Sequence, residues 1–154
     1  GQQIDEFKAI NDVTIRANVS RLTHLNVSIG KTFIERFSGD GIVISTPVGS
    51  TAYNYSLGGA IIDPRLNLLQ LAPIAPMNSV AFRSFTSSLL LPPDLEVHVS
   101  PDEDFEQNAI ICLDGFEYSY DRVSEILVGM ADEKVSIARS EGFDFWAKVT
   151  SKFL

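Results

Sequence analysis

Short segments in which apolar and polar residues alternate recur along the chain. The clearest ones lie at residues 13–16, 25–29, 32–37 and 95–99, and a period of two is typical of half-buried β-strands. Shorter apolar runs, bounded by prolines or other turn residues, lie at residues 60–62, 68–71, 88–91, 123–128 and 135–139. The dipeptides Gly30-Lys31 and Asp114-Gly115 separate such segments and predict β-hairpins.

The pattern as a whole predicts a mainly β fold. Many short strands with frequent turns, and little helical periodicity between residues 57 and 120, favour an antiparallel multi-stranded β-sandwich. The length suits one domain, and we expect residues 1–154 to form it. A helix is predicted at the C-terminus, because Asp144 can cap it and Trp146, Val149 and Phe153 recur at helical spacing on one face.

In the first third of the chain, a segment that predicts a buried strand is followed by a cluster of small and hydroxyl-bearing residues. Residues 42–44 form a β-branched run, and Pro47 and Gly49 end the strand. Ser50 or Thr51 can then cap a short helix. Unpaired N–H groups at a helix start favour anions, so the turn is a candidate ligand site. An ordinary capped helix after a core strand explains the pattern equally well.

The same stretch resembles the signature of the ATP-dependent NAD kinases. It contains Gly-Asp-Gly at residues 39–41, Ser-Thr-Pro-Val-Gly-Ser-Thr-Ala-Tyr at 45–53 and Ser-Leu-Gly-Gly at 56–59. The family has GDG, STPTGSTAY and S-x-GG, so only Val48 departs from it here, and one hydroxyl is lost. The likeness extends from residue 9 to the Phe145-Trp146 tail. It implies the NAD-binding C-terminal domain of a two-domain enzyme that transfers the ATP γ-phosphate to the adenosine 2′-hydroxyl of NAD.

The resemblance also implies which residues bind NAD. Asn11 and Asp12 stand where the family has an Asn-Glu pair that contacts the dinucleotide, and Asp12 is one methylene shorter than Glu. The other implied contacts are an adenine pocket at Thr51, Ala52, Tyr53 and Ser56, and a nicotinamide side at Asp40, Ala75 and Phe82. Asp40 is expected to act across a subunit interface, since the family shares its sites in dimers or tetramers. From the residues alone, strand-edge polarity for Asn11 and Asp12 and plain packing for Phe82 also remain open.

The composition of the chain limits the classes of partner that it can bind. Twelve basic against twenty acidic residues give a net charge of −8, which argues against nucleic acid. No run approaches the ~20 apolar residues of a membrane span, and no signal-peptide pattern is present, so we expect a cytoplasmic protein. The single cysteine, Cys112, is predicted to be a buried, inert thiol. Neither His24 nor His98 has a second ligand at metal spacing, and residues 101–104 are predicted to be a solvated loop.

One family motif is missing. The NAD kinases carry Gly-Gly-Asp-Gly in an upstream domain, and its Asp serves in catalysis; nothing before Asn11 supplies it. We therefore predict no catalytic residue in this chain, little activity of the chain alone, and a whole enzyme that uses ATP and Mg²⁺ as a homodimer or homotetramer. Two alternatives stay open: a lipid kinase of the diacylglycerol or sphingosine type, and a non-catalytic, nucleotide-binding β-sandwich.

Overall fold

Two antiparallel sheets account for most of the regular structure. The computed structural model describes residues 3–18 and 22–154. The strands are β1 (Asp12–Arg16), β2 (Thr23–Ile29), β3 (Thr32–Gly39), β4 (Gly41–Ser45), β5 (Leu69–Ile74), β6 (Leu89–Leu91), β7 (Val97–Pro101), β8 (Ala109–Leu113), β9 (Phe116–Tyr120) and β10 (Ile126–Val128). Their order is β6-β5-β4-β1-β8-β9 in one sheet and β10-β7-β2-β3 in the other. The predicted mainly β sandwich is confirmed.

The hydrophobic core lies between the two sheets. In the larger sheet, alternate residues of β1, β4 and β5 point inward, and they include Ile15, Ile42, Ile44 and Leu71. Side chains of β2, β3 and β7 in the smaller sheet pack against them, and these include the fully buried Phe37. Period-two alternation therefore leaves the other face of the larger sheet free for polar residues.

That outer face is covered by the segment that follows β4. A 3₁₀ turn (Val48–Thr51) leads into a one-turn helix α1 (Tyr53–Ser56) and then a loop. The neighbouring positions Asp12, Ser45 and Gln70 on β1, β4 and β5 are all buried polar residues of this face. Gln70 accepts a hydrogen bond from the backbone N–H of Ala60 through Oε1 (2.9 Å), which fastens the loop to the sheet.

Two predicted strands are wrong. Residues 60–62 form a loop, because their backbone groups bond to side chains instead of a neighbouring strand: Ala60 bonds to Gln70, and the N–H of Ile62 donates to Ser50 Oγ at 2.9 Å. Residues 135–139 are irregular and exposed. Their alternation of apolar and polar residues therefore has no buried face.

The predicted C-terminal helix is present as α2 (Phe145–Phe153), and Asp144 caps it by accepting from the N–H groups of Trp146 and Ala147. It packs on α1, where the rings of Phe153 and Tyr55 lie 4.6 Å apart between centroids. No helix in the described part of the chain has the length and hydropathy that a membrane crossing requires.

Replacing Asp144 with alanine should lower the free energy of unfolding by about 1 kcal/mol, because two helix N–H groups lose their acceptor. Denaturant titration followed by circular dichroism measures the effect. Asp132→Ala, at an exposed position outside the helices, is the matched control. Equal stability of Asp144→Ala and the control would show that the cap contributes nothing.

Candidate functional site

A cavity of about 440 Å³ opens on the outer face of the larger sheet. One wall is formed by β1 and the start of α1, with Asn11, Asp12, Thr14, Arg16, Ala52 and Tyr53. The other wall is formed by β8, β9 and their hairpin turn, with Cys112, Asp114, Gly115 and Glu117. We call it the sheet-face cavity, and it brings together four of the nine predicted site residues.

The turn after β4 is hydrogen-bonded directly to the residues before β1. Thr46 donates its backbone N–H to the carbonyl oxygen of Asn11 at 3.0 Å and its hydroxyl to that of Ile10 at 2.6 Å. The hydroxyl oxygen of Thr46 also accepts from the N–H of Gly49 at 3.1 Å. Gly49 lies so close to Asn11 that an added Cβ would be 2.0 Å from the Asn11 carbonyl oxygen. The signature glycine therefore permits this contact.

Asp12 is the most unusual ionisable group of the cavity. It is 8% exposed. Burial raises its pKa above the ordinary value, and the nearby charge of Asp114 raises it further. In the described residues, the Asp12 carboxylate has no hydrogen-bond donor from the protein, whereas that of Asp114 has three. A buried carboxylate of this kind is ready to accept hydrogen bonds from hydroxyl groups of a ligand.

The start of α1 lines the cavity together with β1. Tyr53 is 45% exposed, and Ala52 precedes it. Thr51 and Ser56 flank this pair but are not among the described residues that line the cavity. The predicted helix cap is wrong: neither Ser50 nor Thr51 caps a helix. Ser50 Oγ is buried, donates to the carbonyl of Pro47 at 2.7 Å and accepts from Ile62, so its hydroxyl is already used.

The predicted nicotinamide-side residues lie elsewhere. Asp40 stands at the other end of β4, where its N–H donates to the carbonyl of Ile74 at 2.9 Å. Asp40 and Thr46 flank β4, and six residues at ~3.3 Å each separate them by about 20 Å. Ala75, next to Ile74, lines a separate groove of about 470 Å³ together with Pro73, Pro76 and residues 86–88. The structure therefore places Ala75 in a second groove, outside the sheet-face cavity.

Phe82 is 9% exposed and packs in an aromatic cluster. Its ring centroid lies 4.7 Å from that of His24, and the His24 ring stacks on Phe105 at 3.7 Å. Arg36 lies over Phe82 and donates to Asp102 at 2.6 Å. The cluster also corrects the prediction of a solvated loop at residues 101–104, since Asp102 is 4% exposed and ion-paired.

Several residues of the sheet-face cavity were not predicted from the sequence. Arg16 and Glu117 form an ion pair at one end, with 2.7 Å between Nη2 and Oε1. Cys112 is half-buried at the wall of the cavity, so the prediction that its thiol is buried is wrong. Strand β8 pairs with β1 on the side away from β4, and the sequence gives no signal for that neighbour. The alternation of residues within β1 is the one sequence pattern that could have indicated that Thr14 and Arg16 face the cavity.

The family resemblance implies Mg²⁺ for the whole enzyme but names no ligand for it in this chain. Among residues 3–18 and 22–154, no three or more His, Cys, Asp or Glu side chains gather in a way that could hold a metal ion. Mg²⁺ commonly binds through one or two carboxylates together with substrate phosphates and water, and such a site needs no group of this size.

Gly49→Ala should destabilise the protein by about 1–3 kcal/mol, because the new methyl group would meet the backbone of Asn11 and neither segment can move freely. Urea unfolding measures the loss. Gly129→Ala is the control, since its Cβ would meet only the flexible side chain of Glu96 at 3.0 Å. If both variants lose the same stability, the close approach of the turn to Asn11 has no energetic importance.

Asp12→Asn should stabilise the protein at neutral pH. A raised pKa means that the folded state binds this proton more tightly than the unfolded chain, so stability falls as the pH rises from the ordinary value of 3.8 through the raised one. Asparagine removes that loss, and the variant's advantage should shrink below pH 3.8. Urea titrations of wild type and variant at neutral pH and below pH 3.8 test this expectation, with the exposed Asp94→Asn as control. An advantage that does not change with pH would contradict the explanation.

Known proteins resemble the chain over nearly its whole length. The sequence profile of the ATP-NAD kinase C-terminal domain matches residues 10–140. NAD kinases of Pediococcus pentosaceus and Lactobacillus johnsonii are 37% identical over 148 residues and 34% identical over 146 residues. These alignments cover 96% and 95% of this chain but 55% and 54% of those proteins. The chain thus spans about half the length of the curated relatives it matches.

Solved structures give the same result. Yeast NADH kinase complexed with NADH has a TM-score of 0.74 and 28% identity, covering 94% of this chain and 41% of that one. An NAD kinase from Archaeoglobus fulgidus in complex with ATP has a TM-score of 0.67 and 25% identity, covering 80% of this chain and 46% of that one. These relatives are NAD or NADH kinases, and they favour neither a lipid kinase nor a non-catalytic sandwich. The chain belongs to the NAD kinase family and corresponds to its C-terminal domain.

Proposed function

We propose that this domain binds NAD in the sheet-face cavity for phosphorylation of the adenosine 2′-hydroxyl by ATP, which gives NADP. The observation that carries the proposal is the convergence of Asn11, Asp12, Ala52 and Tyr53 on one cavity of about 440 Å³. This volume lies within the usual range for small-molecule sites, ~300–1,000 Å³. The curated relatives named above are NAD kinases. Of the two solved structures, the yeast NADH kinase is complexed with NADH, and the Archaeoglobus fulgidus NAD kinase is in complex with ATP.

The cavity residues suit a nucleoside chemically. The Asn11 side-chain amide both donates and accepts hydrogen bonds, and the buried Asp12 carboxylate accepts them from ribose hydroxyls. The half-exposed Tyr53 ring offers a flat apolar surface on which a base can stack. Thr51 and Ser56 flank Tyr53 and complete the proposed adenine pocket on the side of α1.

The second predicted set points to a shared site. Asp40 and Ala75 lie beyond the opposite end of β4, about 20 Å from Thr46 at ~3.3 Å per residue. We propose that a second copy of the chain brings its own Asp40 and Ala75 to the nicotinamide side, in a homodimer or homotetramer. Phe82, the third predicted residue of the nicotinamide side, is buried and packs on His24.

The complete enzyme needs more than this domain. We propose that an upstream domain with the Gly-Gly-Asp-Gly motif supplies the catalytic Asp and that Mg²⁺ accompanies the ATP, so that the chain alone binds the substrate and does little chemistry. When bound with ATP, Mg²⁺ neutralises charge on the phosphates during transfer. The cytoplasmic location stays a prediction from the sequence pattern.

Binding of NAD to this chain tests the proposal. Calorimetric titration should give weak but saturable binding, and Asn11→Ala should lower the affinity by about 0.5–1.5 kcal/mol for one lost polar contact. Tyr53→Ala should lower it as well, through loss of the stacking surface. Tyr118→Ala is the matched control, because Tyr118 lies on β9 and does not line the described cavity.

Equal affinity of wild type, Asn11→Ala and Tyr53→Ala would remove the site assignment. A complementary assay offers the complete enzyme either NAD or a diacylglycerol with ATP. Phosphorylation of the lipid and not of NAD would contradict the proposed reaction.

A further inference from the structure

Asp114 forms a clamp on the backbone of the three residues that precede and open β1. Its Oδ2 accepts from the N–H of Ile10 at 2.7 Å. Its Oδ1 accepts from the N–H of Asn11 at 2.7 Å and from that of Asp12 at 3.1 Å. The backbone N–H of Asp114 in turn donates to the carbonyl of Asp12 at 3.2 Å. An ionised carboxylate only accepts hydrogen bonds, so its two oxygens are largely committed to the protein.

The hairpin between β8 and β9 puts the carboxylate in this position. Asp114 and Gly115 have φ values of 49° and 91°, the left-handed conformation of a two-residue hairpin turn that Asp-Gly favours. Strand β8 pairs with β1, and Leu113 lies opposite Val13. The turn therefore comes directly beside the start of β1. The clamp links residues more than a hundred positions apart in the chain.

The electrostatics favour a permanently charged clamp. Burial raises the pKa of Asp114, but the hydrogen bonds from the N–H groups of Ile10, Asn11 and Asp12 outweigh it and leave the pKa below its ordinary value. The charge is thus kept at neutral pH. It also disfavours ionisation of Asp12, so the same group fixes the backbone of Asp12 and increases the proton affinity of its side chain.

We propose that Asp114 is a positioning residue of the nucleotide site, which acts by holding the backbone of Asn11 and Asp12 so that their side chains face the substrate. Thr46 holds the carbonyl of Asn11 from the other side, and only Asp114 among the described residues holds its N–H. The inference rests on the proposed function, because it takes Asn11 and Asp12 to be nucleotide contacts.

A double-mutant cycle on the complete protein tests the inference. Asp114→Gly keeps a glycine-compatible turn and removes the carboxylate, whereas Asp114→Asn keeps the shape and one acceptor oxygen. The KM for NAD should rise about tenfold in Asp114→Gly and less in Asp114→Asn, with a smaller change in kcat. If Asp114 acts through Asn11, the effect of Asn11→Ala should be much smaller in the Asp114→Gly background than in the wild type. Asp94→Gly, an exposed turn variant, should leave that effect unchanged.

Hydrogen exchange supplies the second readout. The amides of residues 10–12 should exchange faster in Asp114→Gly and be partly protected in Asp114→Asn, while core amides of β4 keep their protection. Additive effects of Asn11→Ala and Asp114→Gly on the KM, or unchanged exchange of the three amides, would overturn the positioning role. A wild-type protein that fails to bind NAD would instead overturn the proposed function, and the inference with it.

Discussion

The short segment from Ile10 to Asp12 is held from two directions, and the site depends on this. Thr46 donates hydrogen bonds to the carbonyl groups of Ile10 and Asn11. The carboxylate of Asp114 accepts hydrogen bonds from the three N–H groups of the segment. Backbone groups that leave a sheet must find partners elsewhere or remain unsatisfied at a cost. Here the partners come from the turn after β4 and the hairpin after β8. Three sequence-distant segments therefore meet at one point, and the cavity lies between them.

The position of this point follows from the sheet. In the larger sheet β1 lies between β4 and β8, so whatever follows β4 and whatever follows β8 reach the same end of β1. The inward residues of β1 and β4 enter the core, and the outward residues remain for the cavity. Asp12 is one of these, and burial raises its pKa because desolvation disfavours the charged carboxylate. Ionisable groups whose surroundings shift their pKa are typical of functional sites.

Local patterns were enough to predict most of the fold. The hairpin of β2 and β3 and that of β8 and β9 follow from turn dipeptides between alternating segments, and Asp144 marks the start of α2. The strand predicted at residues 60–62 is wrong because an apolar run does not show whether a neighbouring strand is available for pairing. Side chains of Ser50 and Gln70 took up the backbone groups that a strand would have paired. The Asp114 clamp was unpredictable for a similar reason: Asp-Gly predicts the turn, but the three N–H groups that it binds lie in another part of the chain.

The signature stretch of residues 39–59 explains why the site residues fell into two groups. The family resemblance implies that its two ends contact different parts of one dinucleotide, with adenine near Ala52 and Tyr53 and the nicotinamide side near Asp40. Folded, its strand β4 separates Asp40 from Thr46 by about 20 Å at ~3.3 Å per residue, so its two ends serve different places. Gly49 and Thr46 fix one end against Asn11, and Asp40 is fixed at the other end through Ile74. A rigid, fully buried strand between them keeps that separation constant. The two groups therefore occupy separate places on the domain: Ala52 and Tyr53 line the sheet-face cavity, and Ala75 lines the second groove.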